Sequence, residues 1–228
     1  MTPARPGLSR SVEDYLKAIY GISEQGAIAT TSAIAEVLAV QPASVTGMIK
    51  RMAESGLLEH APYRGVRLTD RGYREALKVL RRHRIIETYL CERLGYAWED
   101  VHEEAERLEH AASDHLVEQM ASALQFPSHD PHGAPIPTRG GEIEVTDFCT
   151  LAEAEPGTVL RIRAVRDHDP EVLRSMEAAG LMPGARVRVG PAPGTVGEVT
   201  VRVVDGAGNA HVVPREVARL IYVVHEEG

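Results

Sequence analysis

The sequence predicts a mainly α protein in three parts: a winged helix-turn-helix module over residues 1–75, a helical block over 76–145 and a small β-barrel over 146–228. Three observations predict it. Apolar stripes at helical spacing recur from residue 10 to residue 124. A Pro- and Gly-rich stretch at 127–145 interrupts them. From about Thr150 the pattern changes to short alternating segments separated by Gly and Pro.

The elements follow in order. In "RSVEDYLKAIYGISE", Val12, Leu16, Ile19 and Tyr20 form one stripe and Ser11 is placed to cap. "TSAIAEVLA" is a second helix, broken at "VQP". "PASVTGMIKRMAESG" is a third, with Pro42 near its start, Gly56 at its stop, and Val45, Met48, Ile49 and Met52 on its buried side. "LLEHAPYRG" and "VRLTDRG" are two extended segments around a tip at Tyr63–Gly65. Three helices followed by a hairpin make a winged helix-turn-helix, whose third helix enters the major groove of DNA. Gln41 before that helix, Ser44, Thr46, Gly47 and Lys50 on its exposed side, and Arg64 at the wing tip are the candidate DNA contacts, with Arg67 beyond them. Ser and Thr reach base edges or phosphates, whereas Lys and Arg mostly take phosphates.

A long helix is expected from Asp70 to about Leu94, with Leu77, Leu80, Ile85, Tyr89 and Leu90 on its apolar face. A second begins near Trp98, and "SDHLVEQMASAL" is a third. Helices packed in this way offer a dimer surface, and a symmetric dimer presents two recognition helices to a palindromic site. His129, Asp130 and His132 fall in the Pro- and Gly-rich stretch, where solvated loop residues are expected. In the last part, "TVLRIRAV", "RVRVG", "EVTVRVV" and "NAHVVP" are strands, and "DPEVLRSMEAAGL" is a helix between them.

The segment "HEEAERLEH" puts His102, Glu106, Glu109 and His110 at i, i+4, i+7 and i+8, on one side of a helix. "RRHRIIE" adds His83 and Glu87 at i, i+4 on the long helix. An isolated His–Glu pair at this spacing is a common surface contact. Two such helices, with Glu106 and Glu109 between two histidines, point to a metal. Imidazole with carboxylate suits Mn, Fe, Co, Ni or Zn, and the wealth of carboxylate without thiolate favours Mn(II) or Fe(II). Residue 106 is Glu rather than His, so the HExxH pattern of zinc proteases is absent.

Composition narrows the classes. Net charge is −8, yet residues 1–84 hold 13 Lys and Arg against 8 Asp and Glu, and residues 85–228 hold 12 against 25. A basic end suits a polyanion, and bound cations would offset part of the acidic remainder. Cys91 and Cys149 lie far apart, which points to a reducing cytosol and no disulfide framework. No apolar run spans a bilayer, and the first residues lack the apolar core of a signal peptide. Neither a membrane nor a small organic substrate is expected as a partner. A metal-dependent hydrolase is the competing enzyme reading, opposed by the DNA-binding module and the lack of a general base outside the ligand sets. Scarce aromatics oppose a docking site for Pro-rich peptides.

The segments "SVEDYLKAIY", "SVTGMIKRM", "YRGVRLTDRG", "RRHRIIETYL" and "VHEEAERLEH", in this order, resemble the diphtheria-toxin-repressor family of metal-dependent transcriptional regulators across essentially the whole chain. The resemblance implies a cytoplasmic homodimer, not an enzyme, that binds operator DNA when loaded with Mn(II) or Fe(II), and an SH3-like, iron-transport-associated C-terminal domain. It implies a primary metal site at Asp14, Glu106, Glu109 and His110. The iron-type branch has Met and Cys where Asp14 and Glu106 stand, so oxygen ligands suggest Mn(2+) as effector, with Fe(2+) the alternative. A second first-helix carboxylate of short manganese regulators falls at Lys17, which argues against their two-ion cluster. An ancillary site carries over onto His83, Glu87 and His102, with Asp169 and Glu171 as donors from the small domain and His168 beside them.

Overall fold

The computed structural model describes residues 8–24, 26–61, 65–145, 148–167, 169–191, 197–204 and 210–225. They form two compact units, residues 1–82 with 137–143, and residues 83–136 with 144–228.

In the first unit, α1 (Arg10–Glu24), α2 (Thr31–Val37) and α3 (Pro42–Glu54) precede a hairpin of β1 (Leu58–Ala61) and β2 (Gly65–Leu68) and the start of α4 (Asp70–Leu94). The local signals act as expected. The Thr30 hydroxyl accepts the Ala33 amide at 3.1 Å to cap α2, Pro42 opens α3, and Gly56 ends it at a φ of 72° that side chains disfavour. Leu16, Ile19, Ile34, Val45, Ile49, Met52, Leu57, Val66 and Leu77 meet in one core. A part-buried ion pair, Arg82 Nη2 to Glu13 Oε1 at 2.8 Å, ties α1 to α4.

The second unit contains the rest of α4, the short α5 (Val101–Leu108) and α6 (Asp114–Ala123), followed by a six-stranded antiparallel sheet. Ile86, Leu90, Val101 and Ala105 join α4 to α5, and Ile85, Val117 and Ala121 join α4 to α6. The strands are β3 (Cys149–Thr150), β4 (Val159–Val165), β5 (Arg186–Val189), β6 (Glu198–Val203), β7 (Ala210–Pro214) and β8 (Ile221–His225). They lie in the order β3-β8-β4-β5-β6-β7, with α7 (Pro170–Ala178) between β4 and β5 and the single-turn α8 (Arg215–Ala218) before β8. Leu160, Ile162, Val187, Val189 and Val201 face the core in alternation, and Trp98 and Cys91 from the helical part pack on the same cluster. The opposite face bears arginines in register: Arg161 stands opposite Arg186, and Arg188 opposite Arg202. Among the described residues no single helix is long and apolar enough to cross a membrane.

Two expectations change. Strands β3 and β8, which pair with each other, and of which β8 also pairs with β4, lie outside the four strand segments read from sequence. Asp130 and His132, expected to be solvated, are 8% and 4% exposed. The backbone of 128–136 turns back on itself and presents both side chains inward, so burial here comes from tertiary contacts that composition does not encode.

Candidate metal centre and nucleic-acid face

Helix α4 carries His83 and Glu87 one turn apart, and α5 packs its Val101 and Ala105 against α4. That packing sets His102 and Glu106, each one residue further along α5, beside the α4 pair. Glu109 is the C-cap of α5 and still has helical torsions, its amide bonded to the Ala105 carbonyl at 2.9 Å. His110 follows in the turn rather than in the helix.

His83 is the hub. Its Nδ1 lies 2.5 Å from Glu109 Oε2 and its Nε2 2.8 Å from Glu87 Oε1. Carboxylate oxygens only accept, so His83 satisfies both partners as the doubly protonated imidazolium. His102 Nδ1 lies 3.1 Å from Glu87 Oε1 and 3.1 Å from His83 Nε2. His102 Nε2 is 3.6 Å from Glu106 Oε1, and His110 Nε2 is 3.3 Å from Glu109 Oε1. The six residues expected as ancillary or primary ligands on α4, on α5 and in the turn after it thus merge into one polar chain. His83, His102 and Glu106 offer ligand atoms within 4.8 Å of one another, and so do Glu106, Glu109 and His110.

Burial gives the cluster its character. Glu109 is 0%, Glu87 2% and His83 5% exposed. Burial opposes ionisation of Glu87, but the charge and hydrogen bonds of His83 and His102 outweigh it and hold the carboxyl well below its usual range. Ionised carboxylates removed from water demand a cation, and imidazolium is the one the chain itself supplies. Oxygen and nitrogen donors with no thiolate also fit a hard or borderline divalent ion.

The remaining expected ligands come from other elements of the chain. Asp14 sits half-buried on α1, in the first unit. Asp169 caps α7, its Oδ1 accepting the Glu171 amide at 2.8 Å. Glu171 is exposed and lines a groove of about 520 Å³ with Met176, Leu181 and His211. Neither joins the ligand groups formed by the described residues. His168 and Arg64 lie outside the described residues.

On α3, Gln41, Ser44, Thr46, Gly47 and Lys50 are all exposed, opposite the buried Val45, Ile49 and Met52. Gly47 opens onto free space, so the helix is slim where a groove floor would approach it. Arg67 is exposed on β2. The Thr46 hydroxyl bonds back to the Pro42 carbonyl at 3.2 Å.

Comparison with known proteins agrees with this architecture. Residues 7–66 match the model for the iron dependent repressor N-terminal DNA binding domain, 69–138 its metal binding and dimerisation domain, and 149–225 the FeoA domain. The iron-dependent repressor IdeR of Mycobacterium tuberculosis is 32% identical, over 93% of this chain and 96% of its own. A solved manganese-dependent transcriptional repressor in complex with manganese superposes with a TM-score of 0.87 at 35% identity, covering 94% of this chain and 99% of that one. The IdeR of T. acidophilum superposes with a TM-score of 0.79 at 28% identity, covering 98% and 100%. A winged DNA-binding module, a buried His–carboxylate cluster on a dimerisation-type helical block and an SH3-like terminal sheet place this chain in the diphtheria-toxin-repressor family of metal-dependent DNA-binding transcriptional repressors, which are not enzymes.

Proposed function

We propose that this protein is a manganese-responsive repressor that binds a palindromic operator as a metal-loaded homodimer in the cytoplasm and controls metal uptake genes. The observation that carries the metal reading is the buried chain of carboxylates and imidazoles centred on His83. The primary ligands are Asp14, Glu106, Glu109 and His110. His83, Glu87 and His102 hold the ancillary ion, with Asp169 and Glu171 its further donors by resemblance. Oxygen at residues 14 and 106, where the iron branch has sulfur, favours Mn(II). Exposed Leu94, Leu108, Leu116 and Phe126 on the helical part supply apolar surface for a second copy.

Bound at the cluster, a divalent cation supplies the positive charge that the carboxylates require. His83 and His102 would hold the ion through neutral ring nitrogens, so loading would release the proton that His83 shares with its carboxylate partners. A single imidazolium offsets only part of the charge of Glu87, Glu106 and Glu109, so a divalent ion would favour the loaded arrangement of α4 and α5 over a relaxed one, and DNA affinity would follow by linkage. Gln41, Ser44, Thr46, Gly47, Lys50 and Arg64 contact the DNA.

Fe(II) is the second reading, favoured by the likeness to the iron-dependent repressor IdeR. Operator binding titrated separately with Mn(II) and anaerobic Fe(II) separates the two. Half-maximal binding at lower free Fe(II) than Mn(II) would replace the manganese assignment, and metal-independent binding would remove both.

A further inference from the structure

Residues 128–136 form a closed strap. The Ile136 amide donates to Ser128 O at 2.8 Å and the Asp130 amide to Ala134 O at 3.0 Å. Asp130 Oδ1 accepts the amides of His132 at 2.9 Å and Ala134 at 3.0 Å from within the turn. Contacts from this strap reach α4, the segment before α5 and the sheet. Arg84, next to His83 on α4, donates to Pro135 O and lies 3.4 Å from Asp130 Oδ2. His132 Nε2 donates to the Trp98 carbonyl at 2.9 Å, and the two rings stack with centroids 5.3 Å apart. On the sheet, the Val165 amide donates to His132 O at 2.8 Å, and Arg163 Nη2 donates to His129 Nε2 at 3.0 Å.

The attachment at Trp98 matters because α5 is weakly held by its own sequence. It has eight residues, and its N-cap Asp100 makes no side-chain cap hydrogen bond. A helix of that length does not persist without outside support. Its entry is held instead by the His132 contact two residues upstream of the cap. His102 and Glu106 ride on that helix.

Building on the metal reading above, we propose that Asp130 and His132 are positioning residues for the metal cluster. The strap fixes the start of α5 against α4 at the spacing that lets His83, Glu87, His102 and Glu106 share a cation. It also transmits occupancy of the cluster to β4 of the small domain. Neither residue touches the ion: they act through Trp98 and Arg84.

The experiment uses the full-length protein, with Mn(II) as the probe. Trp98 is the sole tryptophan and stacks on His132, so its emission reports the latch directly. Wild type should bind Mn(II) by calorimetry with a change in Trp98 emission. His132→Phe keeps a ring against Trp98 but removes the donor. It should retain far-UV circular dichroism, lose Mn(II) affinity by about tenfold or more, the loss typical of outer partners of ligands, and lose the emission response. His132→Gln, which restores an N–H donor, should recover most of the affinity. Wild-type affinity and emission response in His132→Phe would overturn the proposal. Hydrogen exchange on the unmutated protein gives a second arm that no folding defect affects. Protection of the Val165 amide should rise on Mn(II) binding, and unchanged protection would count against transmission through the strap. Failure of wild type to bind Mn(II) or Fe(II) at all would instead sink the metal reading itself.

Discussion

Replacing Gly133 with Ala tests the seating of the strap. A Cβ there would stand 2.0 Å from the Arg163 carbonyl oxygen and 2.9 Å from Ala164 Cα, at a φ of +84°. The obstacle is backbone, so no rotamer relieves it, and the strap must retreat from β4 by at least 1.0 Å to bring the oxygen contact to 3.0 Å. Retreat breaks the 2.8 Å bond from the Val165 amide to His132 O. The left-handed torsion costs about 1–2 kcal/mol, and the orphaned buried amide about 1–3 kcal/mol more. Gly157→Ala is the matched control: it has a φ of +89° and nothing within 4 Å of the added carbon. It should therefore lose only the torsional part. At roughly 2–4 °C per kcal/mol for a chain of this size, Gly133→Ala should melt several degrees below Gly157→Ala. Scanning calorimetry with parallel Trp98 emission measures both. Equal melting temperatures for the two variants would refute the reasoning, because the close approach to the Arg163–Ala164 backbone exists at Gly133 and not at Gly157.

Three further outcomes are expected. Glu109→Gln removes the charge facing His83 Nδ1 and should abolish Mn(II)-dependent operator binding in gel-shift assays while circular dichroism is unchanged; retained metal dependence would show that Glu109 is not a required ligand. Changing Asp14 to Met and Glu106 to Cys together puts sulfur for two hard oxygens and should move activation toward Fe(II), which paired metal titrations would detect. Asp130 is pushed up to about 6, first by burial and then by the Glu87 charge, against the pull of Arg84. A raised folded-state value means stability is full below the ordinary 3.8 and falls as pH rises through about 6. That rise is worth up to about 3 kcal/mol, and Asp130→Asn, which keeps the oxygen for the His132 and Ala134 amides, should flatten the limb in urea titrations between pH 4 and 7.

Much of this was legible in the amino-acid order because the signals are local. The stripe Val45–Ile49–Met52, Pro42 and Gly56 define α3 from its own residues, and the i, i+4 pairs on α4 and α5 announce the cluster. The remainder depends on distant partners. Strand β8 escapes a periodicity reading because "IYVVH" runs straight on from α8 without a Gly or Pro border, and its apolar character is explained by pairing with β3 and β4. Asp130 and His132 have the composition of loop residues, and Arg84, Trp98 and Val165 make them interior ones. Asp169 stands directly before Pro170, a helix-start signal, and the structure uses it as a cap. The joining of His83 to Glu109 could not be read either, since sequence spacing assigns residues to a helix face but not one helix to another.

The paired arginines on the outer face of the sheet have a consequence for ionic strength. Arg161 opposite Arg186, and Arg188 opposite Arg202, place like charges directly across neighbouring strands, an arrangement that weakens a sheet by some tenths of a kcal/mol per pair. Mobile ions screen that repulsion once the Debye length falls to a few ångströms, on the order of 3 Å at 1 M salt. Contacts between basic side chains and DNA phosphates respond the other way and weaken as salt rises. Under the proposed DNA-binding role, the two ends of this chain answer one variable with opposite signs: concentrated salt relieves repulsion across the terminal sheet while it weakens the hold of α3 on DNA.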